Sequence, residues 1–268
     1  MVSAVPPLDR LQALAGLRAA LAANQRDASP EAFTLAEGAL ARSGLPELDA
    51  ALGGGFPRGI IATLEGPPGS GRSAVAARLL STATAGGGLG ALIEMPEGPE
   101  GALYPPALAA AGIDLERLLV VRAGDAAGVA RAADIVLRAA AFGVVVIPAV
   151  ALAAAAWTRL AGLAHHANAL LVVLGAEACD ELRYFASLRV RLAPARVRWA
   201  GCSGLFCALA GAEAEATVLK HKRAAPGKRA RVVCATFERA GAPLAALRES
   251  APFAESSRGP ALRRTLAL

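Results

Sequence analysis

The feature that most constrains this chain is the octapeptide Gly66-Pro67-Pro68-Gly69-Ser70-Gly71-Arg72-Ser73, which follows an apolar run at 60–65 and opens a helical stretch at 73–84. Glycines at this spacing let successive backbone N–H groups turn inward, and the helix start adds a positive dipole. A strand–loop–helix unit of this kind is therefore a cradle for phosphate. The spacing is that of a P-loop in which lysine is replaced by Arg72. The Ser73 hydroxyl stands where such a loop holds magnesium. Arginine keeps the positive charge, but its planar fork does not seat like a compact ammonium group. The loop thus makes ATP and magnesium candidate ligands without requiring either.

Around this loop, short apolar runs at 60–65, 91–95, 118–122, 144–148 and 170–175 alternate with helical stretches. That alternation predicts an α/β fold with a mostly parallel central sheet flanked by helices. Alanine supplies 68 of the 268 residues, which blurs helical periodicity, so the strand runs carry most of the prediction. From Ser187 the texture changes. Residues 188–192, 197–199, 218–222 and 231–237 alternate apolar with basic or polar side chains, the pattern of antiparallel strands with one wet, basic face. Ahead of the core, Leu8, Leu11, Leu14, Leu17 and Leu21 form the stripe of an amphipathic helix, followed by a polar connector. The expected organisation is an N-terminal helix and connector at 1–42, a core at 43–240 and a flexible basic tail at 241–268.

Charge is distributed unevenly. The chain holds 28 basic and 22 acidic residues, a net charge of +6, but residues 189–268 hold 15 and 5 and residues 1–188 hold 13 and 17. A basic final third on a near-neutral body suggests an anionic partner. Arg189, Arg191, Arg223, Lys228, Arg229 and Arg231 are the candidate DNA contacts, and weak, salt-sensitive binding through phosphates is the expectation. The four cysteines form no CxxC pair, so neither zinc nor a disulfide framework is expected. The first 25 residues do not read as a signal peptide. Residues 139–157 carry no charge, but Gly143 and Pro148 interrupt them and nine are alanine. A buried strand followed by a helix explains them better than a membrane span. A soluble, cytoplasmic, nucleoid-associated protein is expected.

Hydrolysis at such a loop needs carboxylates to hold the metal and orient water. The strand that would supply the first ends in Pro148, and no acid occurs between Asp134 and Glu177. Glu94, Glu97 and Glu100 are candidates for the second role. Among Pro96, Gly98 and Pro99 they read more simply as a solvated acidic turn.

Five stretches, in order, resemble the core of the bacterial RecA recombinase superfamily: Ser43-Gly-Leu-Pro-Glu-Leu-Asp49-Ala-Ala-Leu-Gly53, the phosphate loop, Leu92-Ile93-Glu94, Arg183-Tyr-Phe-Ala-Ser-Leu-Arg-Val-Arg191 and Lys220-His-Lys222-Arg-Ala-Ala-Pro-Gly-Lys228. The resemblance is closer still to the ImuA family, RecA-like proteins of damage-induced mutagenesis cassettes. That resemblance implies an accessory, non-catalytic role in SOS mutagenesis and translesion synthesis. It also implies three partners: an ImuB-like polymerase-family protein, an error-prone polymerase and the RecA recombinase. The recombinase's catalytic glutamate falls at Pro96 and its strand-end aspartate at Pro148, and its two DNA-gripping loops are cut short here. By the same resemblance Lys220 and Lys222 stand where a recombinase reaches across its filament interface, and the leucine-striped helix stands where one subunit docks on the next, which makes self-association an expectation too. The alternatives are a DNA-dependent ATPase with Glu97 substituting for the missing acids, and an ATP-binding regulator that does not hydrolyse.

Overall fold

The structure, a computed structural model, describes residues 40–102, 104–200 and 208–234. The leucine-striped helix and the tail at 241–268 lie outside the described residues. Among the described residues ten strands and six α-helices follow in order: β1 (Leu40–Ala41), α1 (Pro46–Ala51), β2 (Phe56–Pro57), β3 (Ile60–Glu65), α2 (Arg72–Ala85), β4 (Leu89–Glu94), α3 (Pro105–Ala110), β5 (Leu118–Arg122), α4 (Ala126–Arg138), β6 (Phe142–Pro148), α5 (Ala154–His166), β7 (Leu170–Gly175), α6 (Asp180–Phe185), β8 (Leu188–Ala200), β9 (Ala208–His221) and β10 (Arg229–Cys234). Eight strands make one sheet in the order β10-β9-β8-β3-β7-β6-β4-β5. From β8 to β5 every pairing is parallel, while β9 and β10 run antiparallel. The small β1–β2 pair stands apart.

The sheet is covered on both sides, which is why its strands are continuous apolar runs. On one side Ala62, Leu64, Val144, Val146, Leu170, Val172, Leu188 and Val190 pack against α1 and α2 through Leu48, Leu52, Val75, Leu79 and Leu80. On the other, Ile61, Ile93, Val145, Ile147, Leu171 and Val173 pack against α4, α5 and α6 through Val129, Val136, Trp157, Leu160 and Leu182. The uncharged stretch at 139–157 is strand β6 and the start of α5, and among the described residues no helix is long and apolar enough to cross a membrane.

The expected strand at 188–192 holds, with one correction. β8 is not purely part of an antiparallel layer. Its first residues pair in parallel with β3, Ala62 opposite Leu188 through Glu65 opposite Arg191, and its other edge pairs antiparallel with β9. It also runs on to Ala200, so 188–192 and 197–199 are one strand with a bulge between Pro194 and Arg196. Helix α1 closes the outer edge of the antiparallel layer. A Glu47 carboxylate oxygen accepts the Arg231 backbone N–H at 3.1 Å. The turn before α1 is held by Asp49, whose Oδ1 accepts both the N–H (2.9 Å) and the hydroxyl (2.7 Å) of Ser43.

With so little aromatic bulk, the core depends on its few large side chains. Trp157 has no exposed surface. Trp157→Ala is expected to destabilise the fold by about 3–5 kcal/mol. Thr158→Ala, on the exposed face of the same helix, should stay within ~0.5 kcal/mol. Urea unfolding of the two variants checks this.

Candidate functional site: a P-loop with its charges tied

The loop 66–71 leaves the carboxyl end of β3, a central strand, and delivers the chain into α2. Two glycines make this turn. Gly66 has φ +156°, and a Cβ there would overlap the Leu192 carbonyl and sit 2.6 Å from the Ser70 hydroxyl. Gly71 caps α2 in the left-handed region, φ +88°, where side chains are disfavoured. The Gly66 N–H donates to the Gly175 and Ala176 carbonyls at 3.1 Å, fastening the loop to the end of β7. The backbone of a phosphate cradle is therefore in place, with Ser73 exposed on the first turn of the helix.

Its side chains are arranged differently from an open cradle. Arg72 is buried, 6% exposed. One Nη1–H donates to the Gly66 carbonyl. Nε and Nη2 donate to the two oxygens of Glu100 at 3.1 and 2.8 Å. The expectation of a solvated acidic turn is thereby corrected. Of its three acids, Glu97 is exposed, Glu94 is buried and accepts from Arg122 Nε at 2.6 Å, and Glu100 is half-buried on Arg72. The turn folds inward because each of those two carboxylates meets a guanidinium there.

A second ion pair flanks the loop from the strand side, and sequence reasoning missed it. Glu65, 1% exposed, is the residue before Gly66. Its carboxylate takes a two-pronged contact from Arg189 (Nε 2.8 Å, Nη2 2.9 Å) and the Thr63 hydroxyl at 2.7 Å. Burial alone would push the Glu65 carboxyl up. The hydrogen bonds from Arg189 and Thr63 and the guanidinium charge outweigh it and hold the group below its ordinary value. The same contact holds the Arg189 guanidinium above its ordinary value. The signal was in the sequence: a carboxylate inside a buried apolar strand requires a cation.

The other candidates are spread over the molecule. Arg189 is not a free DNA contact, because it is bound to Glu65. Arg191 is half exposed, 4.0 Å from Glu177. Arg229 and Arg231 face Glu215 and Glu213 on β9 at 3.2 and 3.8 Å. Arg223 and Lys228 are exposed on the turn between β9 and β10. Lys220 Nζ donates to the carbonyls of Arg183 and Tyr184 at 2.8 and 3.1 Å, at the end of α6. Burial, then the charges of Lys222 and Arg189, lowers its pKa. Lys220 and Lys222 line an open cleft of about 420 Å³ with Gly59, Ile61, Tyr184 and Phe185. That cleft lies at the amino end of β3, at the opposite end of the strand from the P-loop.

As it stands, the loop does not fit magnesium-bound ATP. Its one cation is engaged by Glu100 and by the loop's own carbonyl, and β6, whose end faces the loop's neighbour strand β7, finishes in Pro148 rather than an acid.

A mostly parallel sheet with a P-loop after a central strand and an antiparallel end defines a RecA-type α/β protein. The RecA N-terminal domain model matches residues 33–168, half of the chain, and the chain belongs to that family. It is similar to Protein RecA of Picosynechococcus sp., 40% identical over 109 residues, and to those of Corynebacterium urealyticum (38% over 110) and Nostoc punctiforme (37% over 109). Each match spans 41% of this chain and only 29–30% of the relative. In solved structures it resembles the crystal structure of the RadB recombinase, with TM-score 0.55 and 19% identity over 72% of this chain and 94% of that one. That likeness concerns the fold.

The Glu65–Arg189 pair generates a prediction. Glu65→Gln or Arg189→Ala leaves one buried charge unanswered and should cost about 3–5 kcal/mol. The pH dependence follows from the lowered pKa. The ionised carboxylate stabilises the fold fully above its unfolded-state value near 4.5, and this contribution is lost as pH falls through the lower folded-state value. Denaturant titrations from pH 7 to pH 3 should show wild type losing this increment, while Glu65→Gln lacks that step.

Proposed function

We propose that this chain is a RecA-like accessory protein of DNA-damage mutagenesis and translesion synthesis, a non-catalytic adaptor that acts by binding repair proteins. One observation carries the reading. Glu65 and Glu100, which flank the P-loop, and Glu94 at the end of β4 are each bound to an arginine, and the strand that would present a metal-side carboxylate ends in Pro148. Of the candidate acids only Glu97 stands exposed, and a site whose other carboxylates are tied to arginines retains the architecture of the family with little of the charge its chemistry needs. The motifs shared with ImuA proteins, and the shortened connections after β6 and β7, support the pathway and speak against strand exchange. Partners on this reading are an ImuB-like polymerase-family protein, an error-prone polymerase and RecA itself.

Purified protein with ATP, magnesium and single-stranded DNA should turn over at least ~10²–10³ more slowly than an intact recombinase, the usual effect of losing a transition-state charge stabiliser. DNA-stimulated hydrolysis abolished by Ser73→Ala overturns the non-catalytic reading. The adaptor half is tested by pull-down against RecA and the ImuB-like protein. Deleting residues 1–30, with the stripe Leu11, Leu14, Leu17 and Leu21, should abolish capture of RecA and any self-association. Undiminished capture would remove that helix from the interface.

DNA binding is the auxiliary part of the proposal. With Arg189 tied to Glu65, it rests on Arg191, Arg223, Lys228, Arg229 and Arg231. Affinity for single strands should fall with salt at a slope of about 0.7 per phosphate contacted, and Arg189→Ala should alter it only through stability. Filter binding across a salt series reads both.

A further inference from the structure

We propose that the P-loop carries its own anion: the Glu100 carboxylate holds the Arg72 fork and shuts polyphosphates out of the loop. This deepens the reading of a non-hydrolysing loop and rests on it. Arg72 uses three of its donor groups internally, one on the Gly66 carbonyl and two on Glu100. A guanidinium presents the same two-pronged face to a carboxylate and to a phosphate, so the two compete for one partner. A lysine at this place would offer a single ammonium point and could not be held in this way. The replacement of lysine by arginine and the presence of Glu100 are thus one device.

The carboxylate is delivered by a pinned backbone. The segment after β4 turns tightly, with the Gly98 N–H on the Met95 carbonyl (2.8 Å), the Gly101 N–H on the Gly98 carbonyl (3.0 Å) and an antiparallel bridge between Met95 and Gly101. Glu100 sits between these anchors. An intramolecular anion of this kind acts at an effective concentration in the millimolar range or above, and an incoming polyphosphate must displace it. Inside the loop, the Ser70 hydroxyl is buried beside Gly66 and has no hydrogen-bond partner among the described residues. The plug closes the loop at the arginine, which also holds the Gly66 carbonyl.

The test is calorimetric titration of the full chain with sodium tripolyphosphate at fixed low ionic strength. Glu100→Gln keeps the size of the side chain, removes the charge and should bind at least about tenfold more tightly than wild type. Adding Arg72→Ala to that variant should abolish the gain. Melting curves confirm that each variant is folded, and Glu100→Ala must agree with Glu100→Gln. Equal binding by wild type and Glu100→Gln overturns the plug, as does a gain that survives Arg72→Ala. Saturable micromolar binding by wild type alone overturns it even if every variant fails to fold. None of these readouts involves hydrolysis, so failure of the plug leaves the non-catalytic reading standing. DNA-stimulated turnover by wild type would sink that reading separately.

Discussion

A carboxylate at the end of a fully covered central strand sets the terms for everything attached to it. Taking Glu65 out of water costs several kcal/mol unless a cation and hydrogen bonds answer it, and the answer comes from β8, the next strand over. This fixes more than one contact. Strand β8 belongs to two systems, parallel to β3 on one edge and antiparallel to β9 on the other. A slip of one residue would turn Leu188 and Val190 toward Glu65 and push Arg189 into the apolar layer beside Leu64. The pair therefore locks the register at the junction of the parallel sheet and the antiparallel layer. It thereby places Lys220, opposite Arg189, over the end of α6.

Seen from the loop, the two arginine–carboxylate pairs are symmetrical in effect. One precedes Gly66 and one follows Gly71, and each pairs a guanidinium with a carboxylate at the rim of the loop. The glycine backbone, the helix start and the fastening to β7 are unchanged by this. The loop is also packed into the fold: a Cβ at Gly66 would overlap the Leu192 carbonyl, so the turn closes directly against β8.

What could be read from the sequence divides along the same line. The runs at 60–65, 118–122 and 170–175 became β3, β5 and β7 with those bounds: β3 and β7 because a strand buried on both faces announces itself by composition alone, β5 because its run of Leu and Val is strand-forming even at the half-exposed sheet edge. Strand β4 begins earlier than the run at 91–95, at Leu89, and β6 begins at Phe142, since Gly90 and Gly143 interrupt the apolar pattern without interrupting the ladder. The double pairing of β8 was not legible: alternation of Leu, Arg and Val reveals a two-faced strand but not which strands flank it. Around the loop, Arg72 was legible as a departure. Its bond to Glu100 spans 28 residues and depends on how the turn after β4 folds back, which no local pattern encodes. Glu65 was legible in principle, as the one charge in its strand. The spread of basic residues was visible, but their neutralisation by Glu65, Glu213 and Glu215 depends on strand register.

The two tryptophans of the chain sit in opposite surroundings. Trp157 is sealed between α5 and the sheet, while Trp199, on the outer part of β8 beyond the reach of β3, is 52% exposed. Their indole emission is accordingly separable: a blue component that reports the integrity of the core, and a red, quencher-accessible component that reports on the ribbon of β8 and β9. The molecule thus comes with two built-in optical channels, one for folding and one for whatever approaches its antiparallel end.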